Sequence, residues 1–211
     1  MRWRVLLCAA TLFAAPVAAD HNDELEQLLE IGDEQFVALS EPPPHPPFIH
    51  QKTLTLGPEA MSSGWVRNEQ CHRQFSPAAA LQFVFKRDQI RAIEILEQYA
   101  IGRSWVDGNT VQLEDVGKQS SICFRSENRM LERQAGGAYR IKVGPFFYRF
   151  LDGYFPVQVD LRVRFPADKL VLIKVRPESG VEVERLKDEV RLSSTFQGIL
   201  RVEMLFDPVL N

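Results

Sequence analysis

The sequence predicts an all-β fold, an antiparallel β-sandwich of immunoglobulin-like or larger size. Three observations carry that expectation. Residues 157–165 alternate cleanly, with Val157, Val159, Leu161, Val163 and Phe165 against Gln158, Asp160, Arg162 and Arg164. Short β-prone segments recur from Lys52 onward with turn residues between them. No comparable stretch carries a strong helical period in that body. Many short strands with one wet face read as antiparallel layers.

Ahead of the sandwich the chain reads as three leading segments. Arg2 and Arg4 open residues 1–19, an apolar run of eleven residues fills 5–15, and Val17-Ala18-Ala19 offers small residues for cleavage. This is the pattern of a signal peptide, too short to span a bilayer, which takes about 20 apolar residues. The implied address is the periplasm or full secretion. Residues 20–41 form an acidic arm, with Leu25, Leu28, Leu29, Phe36 and Leu39 approximating a helical stripe. Asp20 or Asn22 is placed to cap that helix, and Gly32 weakens it. Residues 42–50 form a Pro-rich linker in which proline fixes φ and removes donors. The β-sandwich domain is expected over 51–211. A division near 135 into two modules is the alternative, but no linker-like composition marks it.

Residues 53–56 make a short strand, and 62–71 hold Trp65 and Val66 without a clear period. Residues 78–86 place Leu81, Phe83 and Phe85 on one face. Residues 89–96 read as strand because of their β-branched content. Asp107-Gly108-Asn109 signals a hairpin between flanking strands. Residues 121–126 set Ile122 and Phe124 around Cys123, and 138–143 alternate until Gly144-Pro145 breaks them. Residues 170–176 place Val171, Ile173 and Val175 on one face. Pro177 to Gly180 is turn composition. Residues 181–185 and 189–193 pair across 186–188, and 196–206 close the fold as one strand.

The chain has 211 residues and a net charge of −3. Its charge is unevenly spread. Residues 20–50 carry eight acids and no Lys or Arg, while 51–211 hold 23 basic and 20 acidic residues. The arm is therefore expected to dock on the protein's own basic face or on a partner, with an attraction that salt weakens. Overall acidity and the leader argue against nucleic acid, and no segment reads as membrane-spanning. Past the leader, two cysteines remain, Cys71 and Cys123. In an oxidising compartment they are expected to form a disulfide.

No Gly-x-Ser-x-Gly elbow, phosphate loop, dinucleotide fingerprint or His-Glu-x-x-His helix is present. No catalytic residue, cofactor or metal is assigned. His45 and His50 on a stiff extended linker, with no thiol or carboxylate between them, make a poor cage. His72 is the one histidine expected in the folded body, and a hydrolase or metal-dependent enzyme would have to centre on it. Glu114/Asp115 and Asp188/Glu189 are sequence neighbours, which a strand points to opposite faces.

Two surfaces are nominated instead. Arg140, Lys142, Arg162, Arg164, Lys174 and Arg176 would form a cationic, anion-binding strip if their three strands were neighbours. Phe146, Phe147, Tyr148, Phe150, Tyr154 and Phe155 fall within ten residues. Each aromatic buries about 150–250 Å². The cluster is therefore either a core plug or a partly exposed ledge for a ligand or partner. The functional expectation is a non-catalytic exported binding or accessory protein whose partner is a protein or an anionic envelope component.

Overall fold

Strand β11 (Val157–Arg164) is the spine of the molecule, and its alternation sorts side chains by face: Val157, Val159, Leu161 and Val163 are fully buried. A computed structural model describes residues 36–150 and 153–209. The expected signal peptide, residues 1–19, and residues 20–35 of the acidic arm lie outside the described residues.

Fifteen strands are present among the described residues, with one short α-helix, α1 (Ala60–Ser63), and one 3-10 turn (Arg87–Gln89). The larger sheet runs β1 (Val37–Ala38), β14 (Glu189–Gln197), β11, β2 (Phe48–Thr55), β3 (Trp65–Arg73), β6 (Thr110–Arg129) and β4 (Ala78–Val84). β13 (Glu182–Arg185) shares the outer edge of β14 with β1. β5 (Ile90–Asp107) pairs along the other edge of β6. The smaller sheet runs β12 (Leu170–Arg176), β15 (Leu200–Pro208), β8 (Tyr139–Phe146) and β7 (Leu131–Arg133). A separate ribbon pairs β9 (Arg149–Phe150) with β10 (Gly153–Tyr154). The two sheets pack together as an all-β sandwich.

One core serves both sheets. The larger sheet contributes Leu54, Val66, Ile122, Phe124, Leu161, Leu192 and Phe196, and the smaller one Ile141, Phe146, Leu170, Leu200, Met204 and Phe206. The rings of Phe165 and Phe206, 5.1 Å apart, bridge the layers. β11 is antiparallel to β14 but parallel to β2, so Leu161 faces Leu192 on one side and Lys52 on the other.

Several expectations are corrected. The linker ends earlier than position 50, because Phe48, Ile49 and His50 already belong to β2. The end of the arm is not helical. Val37 and Ala38 pair with Gln197 and Phe196, and the Leu39 N–H donates to the Thr195 carbonyl. Phe36 packs its ring 5.3 Å from Phe196. Gly180, at φ +76°, makes room for it, since a Cβ there would lie 2.6 Å from the Phe36 ring. Gly144-Pro145 does not stop β8, which continues to Phe146.

Two further corrections concern faces. A bulge between Leu172 and Lys174 breaks the alternation of β12. Val171 and Ile173 face solvent, and the bulge turns Val175 away from them onto the buried face with Leu170. Residues 196–206 are not one strand. Phe196 belongs to β14, and the chain changes sheet at Gly198 before β15 begins.

Replacing the fully buried Leu161 with Ala leaves a cavity between two strand neighbours. Urea titration of Leu161→Ala is expected to show a loss of about 2–5 kcal/mol at unchanged slope. Half-exposed Arg162, one residue on, should cost under about 1 kcal/mol as Arg162→Ala.

Candidate functional site

β2 and β3 carry an unusual set of residues on their inward face. His50 pairs with His72, Lys52 with Gln70 and Leu54 with Asn68. The alternation that buries Val157, Val159 and Leu161 therefore also drives a polar row into the space between the sheets. Near one end of that row Asn68 donates to Ser126 Oγ at 3.2 Å and to Asn128 Oδ1 at 3.1 Å, and Ser126 donates to Asn128 Oδ1 at 2.7 Å.

At the other end the two imidazoles lie 4.1 Å apart, centroid to centroid. His50 donates from Nε2 to Gln70 Oε1 at 3.3 Å. His72 is only 4% exposed, and neither ring nitrogen has a hydrogen-bond partner. Rings surround it: Phe83 at 4.4 Å, Phe124 at 5.6 Å and Phe48 at 5.8 Å. Burial is the main cause that holds the His72 imidazole well below its ordinary pKa, with the His50 and Lys52 charges acting the same way. Burial lowers His50 to about 3 and the Lys52 ammonium to about 8. Sequence reasoning placed His50 in a linker and so missed this pair. The available signal was its spacing, two residues from Phe48 and four from Leu54 on one face of a strand.

An enzyme centred on His72 would need an unbonded Cys71 and a carboxylate within hydrogen-bond reach of the imidazole. Cys71 is bonded to Cys123, as the sequence anticipated, with Cα atoms 4.1 Å apart on directly paired positions of β3 and β6. His72 points to the opposite face of β3 from Cys71, among the aromatics.

The aromatic cluster is divided by position. Phe146 is 1% exposed and packs 4.8 Å from His50. Tyr148 stacks on Phe48 at 4.4 Å, and its hydroxyl accepts from the Ser76 N–H at 2.9 Å. Phe147 and Phe155 remain 38% and 36% exposed. Tyr154 is half-buried, with the Arg149 guanidinium 5.2 Å above its ring. The side chain of Phe150 lies outside the described residues.

The six cations do not form one strip, because their strands are not neighbours. Arg162 and Arg164 lie on β11 in the larger sheet. Arg140, Lys142, Lys174 and Arg176 lie on β8 and β12, which β15 separates in the smaller sheet. Glu203 of β15 is registered between Lys142 and Arg176. Arg164 contacts Glu189 at 2.8 Å, Arg140 contacts Glu132 at 2.7 Å, Lys174 contacts Glu178 at 2.6 Å, and Arg162 contacts Asp160 at 3.5 Å. A shallow groove of about 210 Å³ crosses the outer face of the larger sheet, lined by Gln51, Thr53, Glu69, Cys71, Asp160 and Arg162 among others.

No helix among the described residues is long and apolar enough to cross a membrane. No protein-family model matches the chain, and no curated protein is significantly similar to it.

The histidine pair makes stability pH-dependent. Both folded pKa values are depressed, so the unfolded chain binds more protons than the fold at acidic pH, and stability rises with pH. The effect is complete above about pH 6.5, the ordinary histidine value. It is lost as pH falls toward the His50 value of about 3. Each proton contributes about 1.4 kcal/mol per pH unit. Urea unfolding at pH 7 and pH 5 should therefore show a pH 5 loss that is smaller in His72→Leu by about 1–2 kcal/mol. Equal losses in both proteins would place a charged imidazole in the fold.

Proposed function

We propose that this chain is an exported, non-catalytic binding or accessory protein that meets its partner through the ledge formed by Phe147, Tyr154, Phe155 and Arg149. The partner class is a protein or an anionic component of the envelope. The observation that carries this reading is the split within one short segment. Phe146 is interior and Tyr148 is fastened by Phe48 and Ser76. That anchoring leaves Phe147 and Phe155 partly exposed, each packed against a tyrosine ring, Tyr154 and Tyr148 respectively. Rigid aromatics with an adjacent arginine are the residue types that dominate binding hot spots.

Two facts support a binding role over the hydrolase alternative centred on His72. Phenylalanine rings occupy the positions where that alternative needs a carboxylate, and Cys71 spends its sulfur in a covalent bond. Between the two nominated surfaces, the ledge is favoured. The best-placed cations already face acids, and an anion would have to compete with them. The exported address rests on the leader at 1–19 and on the disulfide.

The test is photo-crosslinking in cells that export the protein. Benzoylphenylalanine replaces Phe147 or Phe155 in turn, with Val183 on β13 as a solvent-facing control. Discrete adducts from the first two positions and none from the third are expected. Absence of adducts from both ledge positions, or equal adducts from Val183, would contradict the reading.

A further inference from the structure

The outer face of the larger sheet sets three metal-ligating side chains in one row. Cys71 on β3 is registered against Cys123 on β6, and Cys123 against Glu97 on β5. Two sulfurs and a carboxylate oxygen lie within 4.8 Å of one another. The third member is not placed by simple alternation. Ile95 pairs with Phe124, so an unbroken ladder would put Leu96 opposite Cys123. A bulge between Ile95 and Glu97 shifts the register by one. It turns Leu96 out to 43% exposure and aims Glu97 at the bond instead. Bulges that re-aim one side chain are common beside functional sites.

The contact itself is informative. Glu97 Oε1 lies 3.1 Å from Cys123 Sγ. A bonded sulfur has no proton to donate, so the carboxylate gains a donor there only when the disulfide is opened. The other sulfur is within reach of solvent. Cys71 is half-buried and lines the groove with Gln51, Thr53 and Glu69.

We propose that Cys71, Cys123 and Glu97 form a redox-gated site for a thiophilic divalent cation such as Zn²⁺. The reductant is a small dithiol or a dithiol protein. Its thiolate attacks Cys71 Sγ through the groove, forming a mixed disulfide and releasing Cys123 as thiolate. Its second thiol then resolves the mixed disulfide, so the reductant leaves as a disulfide. Two electrons and two protons are transferred, and the Cys123 thiol donates to Glu97. The cation displaces both thiol protons and takes two thiolates and one carboxylate, leaving a fourth position for water. That donor set suits tetrahedral zinc. In the oxidised protein the sulfurs are bonded to each other and the site is closed. The hydrogen-bonded ladders between β3, β6 and β5 hold the three residues in register when the bond opens.

Cd²⁺ is the probe, because thiolate-to-cadmium charge transfer absorbs in the ultraviolet. Full-length protein is reduced with a phosphine, its fold is checked by near-ultraviolet circular dichroism, and Cd²⁺ is titrated. The expected result is a saturating band with one cation per chain. It should be absent before reduction and in the Cys71→Ser/Cys123→Ser variant, and weakened about 10-fold or more in Glu97→Gln. A folded reduced protein that gives no band, a Glu97→Gln affinity equal to the parent, or loss of the fold on reduction would each overturn the proposal.

Discussion

The pairing of β3 with β6 at Cys71 and Cys123 is the constraint on which the rest of the structure depends. Side chains alternate along a strand, so a slip of one residue would exchange the two faces. With Cys71 opposite Cys123, His72, Gln70 and Asn68 point between the sheets, and Glu69 and Cys71 point out. The bond locks at one position what the hydrophobic pattern demands along the whole length. In the chain-entropy view, closing a loop of 52 positions also removes roughly 4 kcal/mol of freedom from the unfolded chain.

From that register follows the chemistry of the interior. A sandwich core built only of Val, Leu and Phe would need no partners for its atoms. This one admits two imidazoles, a lysine stem and an Asn–Ser–Asn network. The aromatics from Phe48, Phe83, Phe124 and Phe146 close around the imidazoles, which burial keeps uncharged. The outer face of the same sheet is of opposite character. Arg191 lies between Glu189 at 2.6 Å and Glu184 at 3.2 Å, Arg125 contacts Glu94 at 3.0 Å, and Arg91 contacts Glu127 at 2.7 Å. Glu189 is buried, but the other pairs are half-exposed and contribute little stability each. They do leave a face on which charge is largely matched, in contrast to the ledge, where Phe147 and Phe155 present part of their rings to solvent.

Legibility in the sequence followed regularity of the backbone. β11 could be read because nothing interrupts its alternation, and the β5–β6 hairpin could be read from Asp107-Gly108-Asn109. β5 itself could be read only in part, as a strand over 89–96, and its continuity over 18 residues was missed because register shifts near residues 92, 96 and 100 scramble its pattern. The faces of β12 were misassigned for the same reason, through one bulge. Pairing between distant strands left no local trace. The parallel contact of β2 with β11, which brings His50 and Lys52 under the core, spans about a hundred residues of chain. The candidate site was half visible. The disulfide and the aromatic segment were nominated from residue type, whereas the His50–His72 pair and the alignment of Glu97 needed the third dimension.

The central claim is the register at the covalent bond, and peptide mapping of the non-reduced protein tests it most directly. Alkylated, protease-digested material should contain one linked species joining the Cys71 peptide to the Cys123 peptide. No alkylated cysteine should appear at either position. Recovery of both as free alkylated peptides, or of a linkage between two copies of the chain, would contradict the account.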